Sequence, residues 1–387
     1  MTGDRQIATA NADGTDARLL TTPFPRGFGS WNQLARSQLT WSWPTWSPDG
    51  AWVAGFAVES SDERAGPVQV IAQSVDGAEE VQWFESAGSM PIYMQWHPDG
   101  SALAVLSQRG KELNLSVVSS GRLGVARPVE AGVPLFFSWT PNGARMLVHA
   151  SDGSGSQGRL VLRDPLGSAE DVVYDLRPGS FCAPVFVGSE AIWCTPDDGG
   201  SLVYASNAQG TRGRPLVNRK GLLALVPAPN GARLLAVSSA TKGEGSPYHG
   251  IDLVDLADGS LRCLTRMECL AFFWSPTGDW LLVAQVVSEE NCLRWWKVPI
   301  DGSPPIDVGT FWPTRDVVFY LHFFDQYTSS HPLVSANGQH IVFAGYPAGG
   351  GQADLSRPPR VYLKDVDQPD APALEVDGGS FAVFSSI

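Results

Sequence analysis

The sequence predicts an all-β chain wound into a single β-propeller of four-stranded antiparallel blades, and three observations carry that expectation. One phrase recurs: WSPDGAWVAGF at 46–56 returns as WHPDGSALAVL at 96, WTPNGARMLVH at 139 and WSPTGDWLLVA at 274. The turn glycines of the repeat, Gly50, Gly100, Gly143, Gly188, Gly231, Gly278 and Gly338, follow one another at a mean spacing of about 48 residues. The 41 Gly and 29 Pro are spread along all 387 residues, a density of turns that leaves little room for long helices.

Each unit has the same grammar. A short apolar run comes first. A polar turn follows, in which Pro presets φ, Asp or Asn bonds the local backbone and Gly takes a positive φ. An alternating strand comes next, as in His340-Ile341-Val342-Phe343. The third strands read VQVIAQSVDG (68–77), LNLSVVSSG (113–121), RLVLRDPLG (159–167), LVYASNAQG (202–210), IDLVDLADG (251–259), LRWWKVPIDG (293–302) and VYLKDVDQPD (361–370). The fourth strands are shorter, for example SLRCLT at 260–265. Four antiparallel strands, repeated at this period, are propeller blades.

The ends complete the count. The chain opens with a third-type strand (6–14) and a fourth-type strand (17–21), and closes with a first-type strand, GSFAVFSS (379–386). Residues 1–21 with 379–387 therefore predict an eighth blade that ties the ring and removes open edges. No second strand is found for it, so the alternative is seven blades. Either way residues 1–387 read as one domain.

The WSPDG-type turn, the alternating strand after it, a third strand ending in xDG and a short LT-type fourth strand resemble the TolB-type propeller repeat. The resemblance covers almost the whole chain, and the same repeat occurs in the propeller domains of prolyl-oligopeptidase-like proteins. It implies the fold and leaves the task open, because this repeat serves many. No GxSxG and no hydrolase-length C-terminal domain follows the repeats, so prolyl-oligopeptidase chemistry is not expected. Oligogalacturonate-lyase-type propellers use a histidine-rich metal site at the channel; here only His331, in Ser-His-Pro before a strand, matches.

Composition bounds the partners. With 43% hydrophobic and 17% charged residues, the chain builds a core. A net charge of −13 without any Lys/Arg run disfavours nucleic acid and anionic lipid. The five cysteines include no CxxC and are expected to be reduced and buried. The first residues have no apolar signal core and no run of about 18 apolar residues occurs. The expectation is thus a cytoplasmic chain with no membrane span, an appearance that a removed leader or anchor would also leave. No cofactor and no metal site is expected. Gly349–Gly351 reads as a loop, Ser61-Asp62-Glu63-Arg64 as solvated charge, and Asp152-Gly153-Ser154-Gly155-Ser156 has too few carboxylates for calcium.

The turns between first and second strands are all tight. The opposite face carries the insertions, at 22–42, 57–67, 238–250, 309–330 and 345–359, and long loops on one face of a regular scaffold usually carry function. The entrances of the first strands offer Trp41, Trp43, Tyr93, Phe137 and Phe273, which predict an aromatic-lined funnel on that face, or core. Trp46, Trp96, Trp139 and Trp274, at equivalent positions, are expected in the core. His97, in a short turn, is expected at the surface. The stretch FYLHFFDQYTSSHP (319–332) has no counterpart in other units. Its Asp325, Tyr327 and His331 are candidate acid–base groups and Gln326 a candidate ligand contact, with loop-fixing hydrogen bonds as the structural alternative. Three functions follow: a module binding an apolar or aromatic small molecule or a protein at the funnel face; an enzyme of lyase or isomerase type acting on an apolar molecule there; or an assembly scaffold.

Overall fold

The recurring phrase folds as a hairpin. In its first copy the amide of Gly50 donates to Ser47 O and the amide of Ser47 to Trp52 O, both at 2.9 Å. The same two bonds recur at His97 and Gly100, Thr140 and Gly143, Ser275 and Gly278, and Ser335 and Gly338. These five glycines have φ between 66° and 78°, where a side chain would be strained. At Ser47, Thr140 and Ser335 the hydroxyl adds a second lock. It donates to Asp49, Asn142 and Asn337 and accepts the amides of Trp52, Arg145 and His340.

The computed structural model describes residues 6–21, 38–60, 65–86, 89–119, 126–151, 158–179, 181–229, 231–240, 247–349 and 352–387. Five four-stranded antiparallel sheets follow one another along the chain, at 38–86, 90–132, 135–173, 185–219 and 222–269. The sixth blade, 271–313, runs on through the pairs Trp312–Tyr346 and Pro313–Gly345 into the seventh, His340–Tyr346, Arg360–Asp365 and Leu374–Gly378. A bridge from Val334 to Ile341 marks the inner strand of that blade.

The two ends of the chain meet between the first and seventh blades. Strands β1 (Ala8–Thr9) and β2 (Arg18–Leu19) pair with each other. Beside them Ile7 and Leu20 pack on Trp41, Val53, Ala57 and Ile71 of the first blade. Gly14 faces Leu363, Leu374 and Val376 of the seventh. From the other end, Ile387 reaches the turn at Gly50, and the amide of Phe384 donates to Pro332 O at 2.9 Å. The expected closing unit is therefore present in part, as an outer hairpin and an inner segment. That segment, 379–387, is irregular and not the expected strand; among the described residues no second strand stands beside it to pair with.

Two of the repeated tryptophans, Trp96 and Trp274, tie neighbouring blades. The indole of Trp96 donates to Thr45 O of the preceding blade at 3.2 Å, and that of Trp274 to Val226 O at 3.0 Å. Each indole thus satisfies a carbonyl of the blade before it while its rings fill the gap. His97 departs from expectation. It is buried, with Nδ1 2.5 Å from Asp99 and Nε2 2.9 Å from Gly143 O in the turn of the next blade. Adjacent turns pack together, so a turn residue here joins two blades.

Of the expected insertions, 309–330 is described throughout. Residues 22–37, 61–64, 241–246 and 350–351 of the others lie outside the described residues, as do 152–157. The readings of Ser61–Arg64, of Asp152–Ser156 and of Gly350–Gly351 lie there with them. No described helix is long and apolar enough to cross a membrane.

Candidate functional site

The insertion between the sixth and seventh blades folds into two short helices, α1 (Arg315–His322) and α2 (Phe324–Tyr327). Thr314 caps the first, its hydroxyl accepting the amide of Val317 at 3.2 Å, and Asp316 sits in the positive first turn. Val317, Tyr320, Leu321 and Phe324 recur at three- and four-residue steps and are all buried. The C-terminal segment braces this start. Thr314 donates to Ser380 O at 2.5 Å, and Ser380 donates to the Asp316 carboxylate at 2.7 Å.

These helices enter the ring, and the aromatic groups of the first strands meet them. Trp43 stacks on Tyr327, with centroids 5.4 Å and planes 13° apart, and also contacts Phe319 and Phe381. A register shift between Ser42 and Thr45 places Trp43 there, at a φ of 53°. Tyr93 meets Tyr327 edge-on at 4.9 Å and Phe137 at 5.4 Å. Phe273 stacks on Tyr320, 5.6 Å and 9° apart. Trp41 faces elsewhere, into the packing between the first blade and the β1–β2 hairpin. Trp41, Tyr93, Phe137, Phe273, Tyr327 and His331 are all at most 4% exposed. The greasy entrance is thus filled by the chain itself. Each fully buried aromatic ring there is worth about 2–3 kcal/mol of transfer free energy, which holds the insertion in the ring.

Hydrogen bonds fix the depth of the insertion. Tyr93 donates to Gln326 O at 3.0 Å and lies 2.9 Å from Ser330 Oγ. Tyr327 donates to Ile92 O at 3.3 Å, Thr45 to Ser330 O at 3.1 Å, and Gln95 to Ser329 Oγ at 2.9 Å. His331 shares a 2.7 Å bond with Ser330 Oγ through Nδ1, while its Nε2 has no partner among the described residues. Burial pushes the imidazole down to about 3, so the ring is neutral, and pushes the Tyr327 phenol well above its usual range.

Open space lies at the other end of the channel, towards the tight turns. A cavity of about 360 Å³ is walled there by Trp46, Trp96, Trp139 and the turn prolines Pro48, Pro98 and Pro141. Its floor is α2 and the turn after it: Asp325, Gln326, Thr328, Ser329 and Ser330, with Gln95 and Ser138 from the blades. Asp325 is partly accessible from this cavity. Loss of water pushes its carboxyl up to about 6, although the amides of Gln326 and Ala183 pull the other way. No ion pair to Asp325 occurs among the described residues. Among those residues, too, no three His, Cys, Asp or Glu side chains converge as a metal site would need.

The structure therefore brings Asp325, Gln326 and Phe137 to one cavity, sets Trp43, Tyr93, Phe273, Tyr327 and His331 in the packing above it, and leaves Trp41 apart. Gln95, Ser138 and Ser329, which also line this cavity, were not singled out from the sequence. The helical step of Val317, Tyr320, Leu321 and Phe324 after a capping threonine was the signal that this stretch folds inward.

Radial four-stranded blades define a β-propeller, and their turn grammar resembles the TolB-type repeat. Among solved structures the chain is similar to an oligogalacturonate lyase in complex with manganese, with a TM-score of 0.56 at 15% identity, covering 95% of this chain and 98% of that one. It is similar to the β-propeller domain of the Trilobed protease from Pyrococcus furiosus, with a TM-score of 0.54 at 9% identity over 87% and 97% of the chains. TolB from Acinetobacter baumannii matches over 75% and 71%, at 16% identity and a TM-score of 0.43. Such identities speak for fold alone. No protein-family model and no curated protein matches the chain.

Proposed function

We propose that the protein is a binding module whose channel mouth, on the face of the tight turns, takes a cationic group carried on an apolar body, either a side chain of a protein partner or a small amine. The observation that carries this reading is Asp325: a carboxylate in the floor of a 360 Å³ cavity, without a cation beside it among the described residues, under a rim of tryptophans. A guanidinium or ammonium would regain for Asp325 what burial removes, and indole faces favour the same charge. Gln326, Gln95 and the serines supply directional hydrogen bonds. In this reading Trp43, Tyr93, Phe273, Tyr327 and His331 hold the floor in place and do not touch the ligand, while Phe137 lies in the cavity wall.

A second reading rests on the same carboxyl. A group lifted to about 6 exchanges protons near neutral pH, as a general acid–base must. Of the three candidate acid–base residues, Asp325 alone reaches the cavity, while Tyr327 and His331 are sealed.

Calorimetric titration with two peptides tests the first reading, one bearing a central arginine between leucines and one bearing citrulline in its place. The expected result is saturable binding of the arginine peptide, weaker at least tenfold with citrulline and in Asp325→Asn. Equal binding of both peptides, or unchanged affinity in Asp325→Asn, overturns it.

A further inference from the structure

A second cavity, of about 430 Å³, lies between the seventh and first blades. Its walls are Val342, Leu363 and Val376 of the seventh blade and Trp46 and Val53 of the first. The hairpin segment 7–12 lies along one side and 381–387 along the other. This is where the repeat places the second strand of a blade. Every full unit sets an inner strand, a second strand and a third strand in that order; the unit built from the chain ends has the inner segment and the outer two, and a cavity between them.

The backbone of the hairpin points the same way. Ile7 O accepts the amides of Leu20 and Thr21, Ile7 N donates to Thr21 Oγ1, and Asn11 N donates to Thr15 O. Residues 7, 9 and 11 thus turn their polar groups towards β2. Strand alternation then turns those of Ala8 and Ala10 towards the cavity. β1 has a single neighbour in its sheet, β2, so this edge is unpaired among the described residues. It is an accessible strand edge beside an apolar trough, the arrangement into which extended peptides add.

We propose that this gap is an acceptor for one extended segment of a partner protein, about five to seven residues long, with alternating aliphatic side chains and no charge. Length follows from the neighbouring second strands, which run over seven residues at His340–Tyr346 and eight at Trp280–Val287. Chemistry follows from the lining. Of the cavity residues, Asp377 alone is charged, and Ala8, Ala10, Ala12 and Ala17 leave room for the bulk to come from the guest. The incoming strand would pair with Ala8 and Ala10 and cover Val342, Leu363 and Val376 as a second strand covers its neighbour elsewhere in the ring.

The test uses the full chain and a probe of known sequence, the peptide HIVFAGY copied from residues 340–346, together with the same peptide N-methylated at alternate amides. Binding is followed by fluorescence anisotropy, and the amides of residues 7–11 by hydrogen exchange. The expected result is saturable binding of the plain peptide that slows exchange at Ala8 and Ala10 at least tenfold, leaves Thr9 unchanged, and persists in Asp325→Asn. Methylation should abolish it. Equal binding of the methylated peptide, no slowing at Ala8 and Ala10, or slowing that appears without peptide as protein concentration is raised, the mark of a second copy in the gap, overturns the proposal. Loss of binding in Asp325→Asn overturns it too, because the peptide would then sit in the channel.

Discussion

Gln326 pairs with Phe137 as a neighbouring strand would. Its side-chain Nε2 donates to Phe137 O at 3.0 Å, and its Oε1 accepts the Phe137 amide at 3.4 Å. The inner strand of the third blade, Leu135–Trp139, has no strand on its channel side among the described residues, and a side-chain amide supplies both missing partners. This clamp joins the inserted helices to the ring and sets the floor of the channel cavity.

Gln326→Leu keeps the volume and removes both bonds. It leaves a buried N–H and C=O unpaired, at a cost of about 1–3 kcal/mol. Urea unfolding should show a lower midpoint with an unchanged slope, since the compactness of the native state is retained.

Asp325→Asn should stabilise the protein at neutral pH. The folded carboxyl titrates at about 6, above its ordinary 3.8, so between those values the native state binds more protons than the unfolded chain. Stability therefore falls as pH rises through that window. The ionised group costs about 2 kcal/mol at pH 7.5, allowing for its partial access to water. Asn carries no such cost. Melting curves of the two proteins should differ at pH 7.5 and converge below pH 4.

His331 gives the opposite slope. Its folded pKa of about 3 lies below the ordinary 6.5, so the unfolded chain takes up a proton that the native state refuses. Stability falls as pH drops from 6.5 towards 3, by about 4 kcal/mol at the lower end. His331→Asn is expected to be less stable at pH 7, where the ring packs against Tyr327 and Tyr93. Its loss on acidification should be shallower, and denaturant titrations at pH 7, 5 and 4 measure both effects.

The cysteines should separate by reactivity. Cys263 is exposed, whereas Cys182, Cys194, Cys269 and Cys292 are buried. Burial pushes the Cys269 thiol up to about 12 and raises Cys194, which lies with its sulfur 2.8 Å from that of Cys182. In reducing buffer, a thiol-titrating reagent should find one fast group in the native protein and four more on unfolding. Two or more fast groups would place a second cysteine at the surface.

The blades were legible in the sequence because the turn chemistry is local. Pro, Asp and Gly act on their own backbone, and Gly50, Gly100, Gly143, Gly278 and Gly338 all adopt the φ that the phrase predicts. The closing unit was legible only in part: its outer pair forms at Ala8–Thr9 and Arg18–Leu19, while 379–387, read as a strand, is irregular. The channel was not. That Tyr93 and Phe273 are large and apolar says they face something apolar, and whether that is a ligand or Tyr327 and Tyr320 depends on a segment far along the chain. The thirteen residues from Arg315 to Tyr327 with helical spacing, lying among some thirty strands, are a weak signal beside the repeat. His97 failed differently: its partner, Gly143 O, belongs to another turn, and nothing near His97 in the sequence announces it.

The turn glycines allow a final comparison, because the same φ occurs in two surroundings. Gly143 (φ 70°) lies against the His97 imidazole, so a methyl group added there would meet the ring, which is itself held by Asp99 and by Gly143 O. Gly188 (φ 60°) has nothing within 4 Å of the position a methyl would take. Alanine at Gly188 therefore costs the left-handed backbone strain alone, about 1 kcal/mol. Alanine at Gly143 adds displacement of His97 and loss of its link between the second and third blades, about 3 kcal/mol in all. Denaturant unfolding of the two variants should separate them by about 2 kcal/mol. In the double variant Gly143→Ala with His97→Ala, the glycine substitution should fall back towards the cost seen at Gly188, since the ring it strikes is gone. Equal costs at the two glycines in the wild-type background would mean that the His97 bridge contributes nothing to holding those blades together.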